Sequence, residues 1–471
     1  MTPDIVFTPV RRLGEMIRTR KVSPVELAEV FLGRLEDLGP EYNAVVTVTR
    51  DLALDQARRA EREIASGKYR GPLHGIPYGA KDLLATSGGI PTTWGAAPFR
   101  DQVFDHDATV VRRLEEAGAV LAAKLAMVEL AGGMGYRQPN ASFTGPGITP
   151  WDKNRWSGGS SSGSGTSVSA GLVPFAIGSE TWGSILSPAN NCGVAGLRPT
   201  YGRVSRHGAM AACWTLDKLG PLCLTADDCG LVLEAIAGHD PDDPTSSREP
   251  YSYEPDTGPS ERKFRLGLPR NVTDGCQDDV RANFERALET LEQVATVEEI
   301  ELSDYPYEAV TRTIVFAEYA SAFDEFIESG RTAELTAPED HHIPFARSVV
   351  LAKDYIRAMR LRGVIAREID GVISRFDALV APTSSTTATP LDQEFRSATG
   401  DHGSDPMGAI GNGAGLPAVS VPSGFSTDGL PTGIQFMARA YRENAALAVA
   451  HAYQSLTDWH QRHPPDLVTG E

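Results

Sequence analysis

A chain of 471 residues with 41% hydrophobic residues is long enough to bury a large core. Its formal net charge of −18 argues against a surface for nucleic acid or anionic membrane. Five cysteines (Cys192, Cys213, Cys223, Cys229, Cys276) with no Cys-x-x-Cys pair read as free thiols in a reducing compartment. The stretch Met1 to Phe7 lacks the basic region and long apolar run of a secretion signal. No window reaches about 18 uninterrupted apolar residues, so the expected location is the cytoplasm, with no membrane partner.

Residues 9 to 65 read as largely helical. Ser23-Pro24 opens one helix, with Leu27, Ala28, Phe31 and Leu35 on its apolar stripe, and another runs from about Asp51 to Ala65. From about residue 74 short apolar strands alternate with helices. Ala108 to Ala117 reads as a helix ended by Gly118, followed by a strand from Ala119. Ser164 to Gly171 is a small-residue helix and Val173 to Ile177 a strand. Thr225 and Asp228 resemble a capping box for a helix over 226–237. Asp240 to Lys263 is polar and Pro-rich, a surface loop. A strand at Phe264 to Leu268 and a helix at Asp278 to Gln293 follow, then long helical patterns over Tyr307 to Ser329 and Phe345 to Phe376. Ala378 to Ala381, Ala418 to Val421 and Gly433 to Met437 are candidate central strands, and Glu443 to Leu456 is the last helix. Such alternation implies an α/β fold with a sheet covered on both faces. No internal repeat is visible, and no linker forces a division into separate domains.

Three Gly-containing segments hold the residues with chemistry: Gly75-Ile-Pro-Tyr-Gly-Ala-Lys-Asp82, Gly158-Gly-Ser-Ser-Ser-Gly-Ser-Gly165 and Gly178-Ser-Glu-Thr-Trp-Gly-Ser-Ile185. A serine hydroxyl is a weak nucleophile until a base takes its proton, and a lysine whose pKa is lowered in a dry site can be that base. Lys81 lies in a stretch with little solubilising charge. The 158–165 run could be a Gly/Ser linker, but it is flanked by Trp151 and Trp156 and leads into a small-residue helix. Gly159-Ser-Ser-Ser-Gly163 formally matches a nucleophile elbow, yet 151–156 does not read as the strand that motif needs, and no Gly-Lys-Ser/Thr makes a phosphate loop. His74 reads as structural, His341-His342 as a solvated loop without metal-ligand spacing, and Glu115-Glu116 and Asp227-Asp228 as solvated charge on helix faces.

Lys81, Ser160 and Ser184, the last 24 residues beyond Ser160, stand with three further stretches: Cys192 to Ser205, Asp217-Lys-Leu-Gly-Pro221 and Gly415 to Pro422. In these the chain, from about residue 10 to 463, resembles the amidase signature family. The resemblance implies one amidase domain over 1–471, a central twisted mixed β-sheet covered by helices on both faces, with a helical segment of about 1–70 packed on it. It implies Ser184 as acyl nucleophile, Ser160 as bridging serine with a cis peptide bond, and Lys81 as base, with no cofactor or metal. The backbone N–H groups of Thr181, Trp182, Gly183 and Ser184 align with the oxyanion hole. Met127, Gly132, Gly133, Met134, Tyr136, Trp182 and Ile185 are the pocket walls it suggests, for aryl or alkyl acyl groups. Ser384 to Pro406 is either a loop at the entrance or an inert one.

The sequence departs from the common pattern at Glu180 (usually Asp), Trp182 (usually Gly) and Ser162 (usually Gly). The implied reaction is hydrolysis of a small carboxamide, anilide or related acyl compound, ester and carbamate included, with small substrate and water as the partners and a homodimer compatible. The alternative is the A subunit of a glutamine-dependent aminoacyl-tRNA amidotransferase, which Thr200 to Arg206 resembles. Cys213 to Asp217 and Asp354 to Arg362 look more like general amidases. A non-catalytic scaffold on the same fold is the third reading.

Overall fold

The computed structural model describes residues 3–255 and 262–467. Eleven strands form one sheet: β1 (Val45–Val48), β2 (Pro77–Lys81), β3 (Val120–Leu125), β4 (Phe175–Glu180), β5 (Ala195–Arg198), β6 (Lys218–Cys223), β7 (Phe264–Pro269), β8 (Ala295–Ile300), β9 (Ala378–Pro382), β10 (Ala418–Phe425) and β11 (Pro431–Met437). Their order is β1-β3-β2-β4-β6-β5-β10-β11-β9-β7-β8. β2 runs parallel to β3 and β4, and β7 parallel to β8 and β9; the other pairs are antiparallel. This is the α/β arrangement that the alternating pattern implies, with the mixed sheet that the family resemblance implies.

The helices are α1 (Val10–Arg18), α2 (Pro24–Asp37), α3 (Arg50–Ala65), α4 (Thr109–Glu116), α5 (Ser162–Ser169), α6 (Leu186–Cys192), α7 (Ala226–Ile236) and α8 (Asp278–Leu291). They continue with α9 (Tyr307–Ala322), α10 (Asp324–Glu328), α11 (Ile343–Arg347), α12 (Ala352–Ile373), α13 (Phe395–Thr399), α14 (Pro406–Ala414) and α15 (Glu443–Leu456). The central strands are buried along their whole length, as strands covered on both faces must be.

Several local expectations change. The N-terminal helical region is interrupted by β1, which pairs antiparallel with β3 and joins the edge of the main sheet. The pattern over 307–329 breaks at Phe323 into α9 and α10, and the one over 345–376 breaks between α11 and α12. Thr225 does cap α7, accepting the Asp228 N–H at 3.1 Å. The capping box is incomplete, because the Asp228 carboxylate accepts the Arg11 N–H at 2.9 Å instead. Asp227 and Asp228 are therefore not solvated charge: Asp227 pairs with Arg11, and Asp228 is fully buried. Of the polar loop 240–263, residues 256–261 lie outside the described residues; the rest has no regular element.

The topology sets the two halves of the chemistry side by side. β2 ends on Lys81, and β4, its parallel neighbour, runs on through Glu180 into the 181–184 turn. α5 starts just after Ser160. Its first turn lies so close to the end of β3 that a Cβ on Gly163 would sit 2.3 Å from the Ala44 carbonyl oxygen and 2.5 Å from the Ala126 nitrogen. Only glycine permits that approach, which explains a glycine-rich run that is buried and packed rather than a linker.

Candidate active site

Lys81 has no solvent exposure. Its Nζ lies 2.8 Å from Ser160 Oγ, 2.9 Å from Ser161 Oγ and 2.9 Å from Ser179 Oγ. Burial pushes its pKa well below the ordinary 10.5, while the negative charges of Asp217 and Glu180 act the other way. The Gly159–Ser160 peptide bond is cis.

Ser161 is committed on both sides. Its hydroxyl donates to the Ser179 carbonyl at 3.1 Å and accepts the Ser179 N–H at 3.2 Å. With its proton occupied, Ser161 Oγ can only accept from Lys81. A neutral amine has two N–H groups and one lone pair. Directing the N–H groups at Ser161 and Ser179 leaves the lone pair for the Ser160 hydroxyl proton. Neither Ser161 nor Ser179 is identified as a site residue from sequence, although both lie inside the motifs.

Ser184 is buried to 8% exposure and follows Gly183, whose φ of +79° with nothing within 4 Å of a Cβ marks an open, left-handed turn. The Ser161 N–H donates to the Ser184 carbonyl at 3.3 Å, joining the Ser160 segment to this turn. No hydrogen bond joins the hydroxyls of Ser160 and Ser184. The N–H groups of Thr181, Trp182, Gly183 and Ser184 donate to no acceptor among the described residues. The next two N–H groups, of Ile185 and Leu186, are taken by the Glu180 carboxylate at 2.8 and 3.0 Å. Four N–H donors without an acceptor among the described residues thus lie in the turn that ends on Ser184.

A cavity of about 430 Å³ opens at Gly159, Trp182 and Gly183. Tyr136, Trp156 and Phe395, whose rings meet at 4.6–6.2 Å between centroids, form its aromatic lining. Arg312 and Glu308 of α9 and Asp405 at the start of α14 supply charge, and Thr383 to Thr387 supply hydroxyls. Of the expected pocket walls, Tyr136 and Trp182 line this cavity. Met127, Gly132, Gly133, Met134 and Ile185 do not; Met127, Met134 and Ile185 are packed in the core at 0–1% exposure. The 384–406 segment is part of the wall rather than an inert loop. Arg312 is far from every motif in sequence and no local signal marks it, whereas Asp405 lies in the 384–406 stretch named from sequence, without being singled out there.

The Amidase family model matches residues 26–447. Among curated proteins, the A subunit of glutamyl-tRNA(Gln) amidotransferase from Chloroflexus aggregans is 39% identical over 491 residues, covering 98% of this chain and 99% of that protein. Its counterpart from Moorella thermoacetica is 36% identical over 486 residues, covering 98% and 99%. Among solved structures, the peptide amidase of Stenotrophomonas maltophilia superposes with a TM-score of 0.86 at 30% identity, covering 97% of this chain and 98% of that one. The match spans the Lys81, Ser160 and Ser184 segments together with all eleven strands of the sheet that carries them, and the chain belongs to the amidase signature family.

Proposed function

We propose that this chain cleaves the C–N bond of a carboxamide through an acyl-enzyme on Ser184. The observation that carries this reading is a fully buried lysine amine 2.8 Å from Ser160 Oγ, one parallel strand away from a serine ringed by free N–H groups. Neutral Lys81 takes the Ser160 proton as Ser160 takes that of Ser184. The Ser184 oxygen adds to the substrate carbonyl, and the new oxyanion is met by N–H donors at 181–184, each worth about 3 kcal/mol in comparable sites. The intermediate collapses, the C–N bond breaks, and the relay returns a proton to the departing nitrogen. Water repeats the steps and releases the acid. The relay requires the two serine hydroxyls to come within hydrogen-bond reach, which catalytic groups often attain only with substrate bound.

Two acyl donors fit this chemistry. A small carboxamide, anilide or related acyl compound, hydrolysed by the chain alone, is supported by the likeness to the peptide amidase and by the aromatic lining of the cavity. Glutamine, as ammonia source in an amidotransferase complex, is supported by the two curated relatives at 36% and 39% identity, against 30% for the peptide amidase. On sequence similarity the second is the better supported. The test is to incubate the purified chain with small amides, anilides, carbamates and glutamine, and to read acid products by mass spectrometry beside Ser184→Ala. Ser184-dependent turnover of a compound other than glutamine would establish the hydrolase. Turnover of glutamine alone would favour the amidotransferase role, and equal turnover by Ser184→Ala would remove the acyl-enzyme.

A further inference from the structure

Strand alternation sorts the charges around the relay onto two faces of the sheet. Glu180 and Lys218 stand opposite each other in the β4–β6 pair, on one face, and Glu180 is joined there to Arg198. Ser179, Thr181 and Asp217, each one residue from that pair, come to the other face, which is the face of the Lys81 amine. There the Thr181 hydroxyl donates to Asp217 Oδ1 at 2.6 Å, while Asp217 Oδ2 accepts the N–H groups of Ala212 and Cys213 at 2.9 and 2.8 Å. Ser179, Thr181 and Asp217 line a small cavity of about 50 Å³, which shares no lining residue with the one that opens at Trp182 and Gly183.

The relay creates a charge that has to be met. When Lys81 takes the Ser160 proton it becomes an ammonium ion, and its three partners, Ser160, Ser161 and Ser179, are neutral hydroxyls. In a buried site such an ion is costly unless a counter-charge is near. Two carboxylates act on it, Asp217 more strongly than Glu180. Glu180 is already engaged by Arg198, Asn412 and two backbone N–H groups. Asp217 has no such neutralising partner. Arg206 lines the same cavity, but its guanidinium donates to the Trp214 carbonyl and to the hydroxyls of Tyr201 and Thr245, and its nearest carboxylate is Asp243 at 3.8 Å. The Cys213 thiol and the Tyr319 phenol also lie near Asp217; burial raises both, so they stay neutral. Glu318, next to Cys213, accepts from Cys213, Thr215 and Tyr355.

We propose that Asp217 is a positioning residue of this reaction: through the Thr181 hydroxyl it fixes the start of the turn that carries Ser184, and its charge stabilises the ammonium form of Lys81 that proton transfer creates. The proposal rests on the Ser184 acyl-enzyme reading. One carboxylate then serves both ends of the relay. Its bond to Thr181 is charge-assisted and falls on the residue where the 181–184 N–H donors begin. A carboxylate in contact with Lys81 would keep the amine charged and idle. One set back across the cavity at Ser179 eases the charge and leaves the amine free to return the proton.

The experiment follows the rate at which a small alkyl fluorophosphonate labels Ser184, from about pH 5 to 10, on the full-length wild type, Asp217→Asn, Asp217→Glu and Thr181→Val, with a thermal melt of each. Labelling needs the same proton transfer from Ser184 and does not require the acyl substrate to be known. The amide of Asp217→Asn can still accept from the backbone and donate to Thr181, but it carries no charge. The Lys81 ammonium is then less stable, so the acid limb should move to lower pH by about one unit, the low end of a nearby charge's effect, because Asp217 is partly exposed. The weaker base should also lower the plateau rate by about three- to tenfold. Asp217→Glu keeps the charge and should leave the limb near its wild-type position while the plateau falls. Thr181→Val loses only the hydroxyl, so its plateau should drop by about tenfold with the limb unmoved. A folded Asp217→Asn with an unmoved limb would overturn the proposal whatever its rate, because a merely structural residue changes the rate alone. Thr181→Val labelled at the wild-type rate would overturn it too, even if Asp217→Asn failed to fold. A wild-type Ser184 that takes no label would instead sink the acyl-enzyme reading, and this proposal with it.

Discussion

Glu180 and Arg198 form an ion pair at 2.9 Å with neither side chain exposed to solvent. Glu180 does more than neutralise Arg198, since its other oxygen holds the Ile185 and Leu186 N–H groups that start α6 just after Ser184. Asn412 Nδ2 donates to Glu180 as well, at 3.0 Å. Burial works to raise the Glu180 pKa, but the positive charges of Arg198 and Lys218 outweigh it, and the net displacement is downward. Removing one partner leaves a buried charge alone, so Glu180→Ala or Arg198→Ala should cost about 3–5 kcal/mol. Urea unfolding checks the loss. For Glu180→Ala, kcat should fall as well, because the turn bearing Ser184 loses its anchor. Wild-type stability in either variant would show the pair to be idle.

The base has a clear pH signature. Lys81 reacts as the neutral amine, and burial lowers its pKa well below 10.5. Activity should therefore rise with pH by about tenfold per unit on the acid limb and level off above the lowered pKa. Lys81→Arg keeps a charge that cannot be removed and should lose at least about 10³-fold in kcat. A rate profile that climbs only near pH 10 would mean that the amine is not desolvated.

Ser161 and Ser179 accept from the Lys81 amine at 2.9 Å each and so orient it. Ser161→Ala should lower kcat by about 10²-fold, within the span of general-base effects, with little change in KM. The acid limb should move as well, since an amine N–H loses its acceptor. If kcat and KM changed together while the pH profile stayed fixed, the residue would be merely structural.

Asp228 offers a test of stability away from the site. It is fully buried, and burial raises its pKa from 3.8 to about 6, with the Arg11 N–H acting in the opposite direction. Between those values the folded state keeps a proton that the unfolded chain has lost. Stability thus falls as pH rises through that window, and the penalty is complete above about 6. Asp228→Asn keeps the acceptor and removes the charge. It should stabilise the protein at pH 8 by up to about 3 kcal/mol and hardly at all at pH 4. Equal effects at both pH values in calorimetry would contradict this origin.

The sequence is most legible where one strong period or motif acts alone. Glu443 to Leu456 has the period of a helix and is α15 to the residue. The apolar runs around 378, 418 and 433 are β9, β10 and β11. β5, β6 and β8 escape notice because their strand character comes from neighbours. β6 contains a buried lysine and a proline, and β8 is an edge strand with two glutamates. Asp228 looks exposed in sequence because nothing local announces that Arg11, 217 residues away, will cover it. The Lys81, Ser160 and Ser184 segments are recognisable as motifs, whereas Arg312 and Asp405 come to the cavity from α9 and α14, through long-range packing that sequence spacing does not encode.

Lys81 and the Ser184 turn leave the sheet from adjacent parallel strands whose register is fixed at Ala80 opposite Ile177. The reacting atoms are thus dimensioned by strand spacing, which side-chain substitution on the far wall does not alter. Asp405, which accepts from the Trp182 indole, the Arg312 cation near that ring and the hydroxyl loop all come from beyond residue 300. Change in the second half of the chain can then reshape the far wall of the cavity, opposite the first-half residues Tyr136, Trp156 and Trp182, while the spacing of the reacting atoms stays as the strands set it.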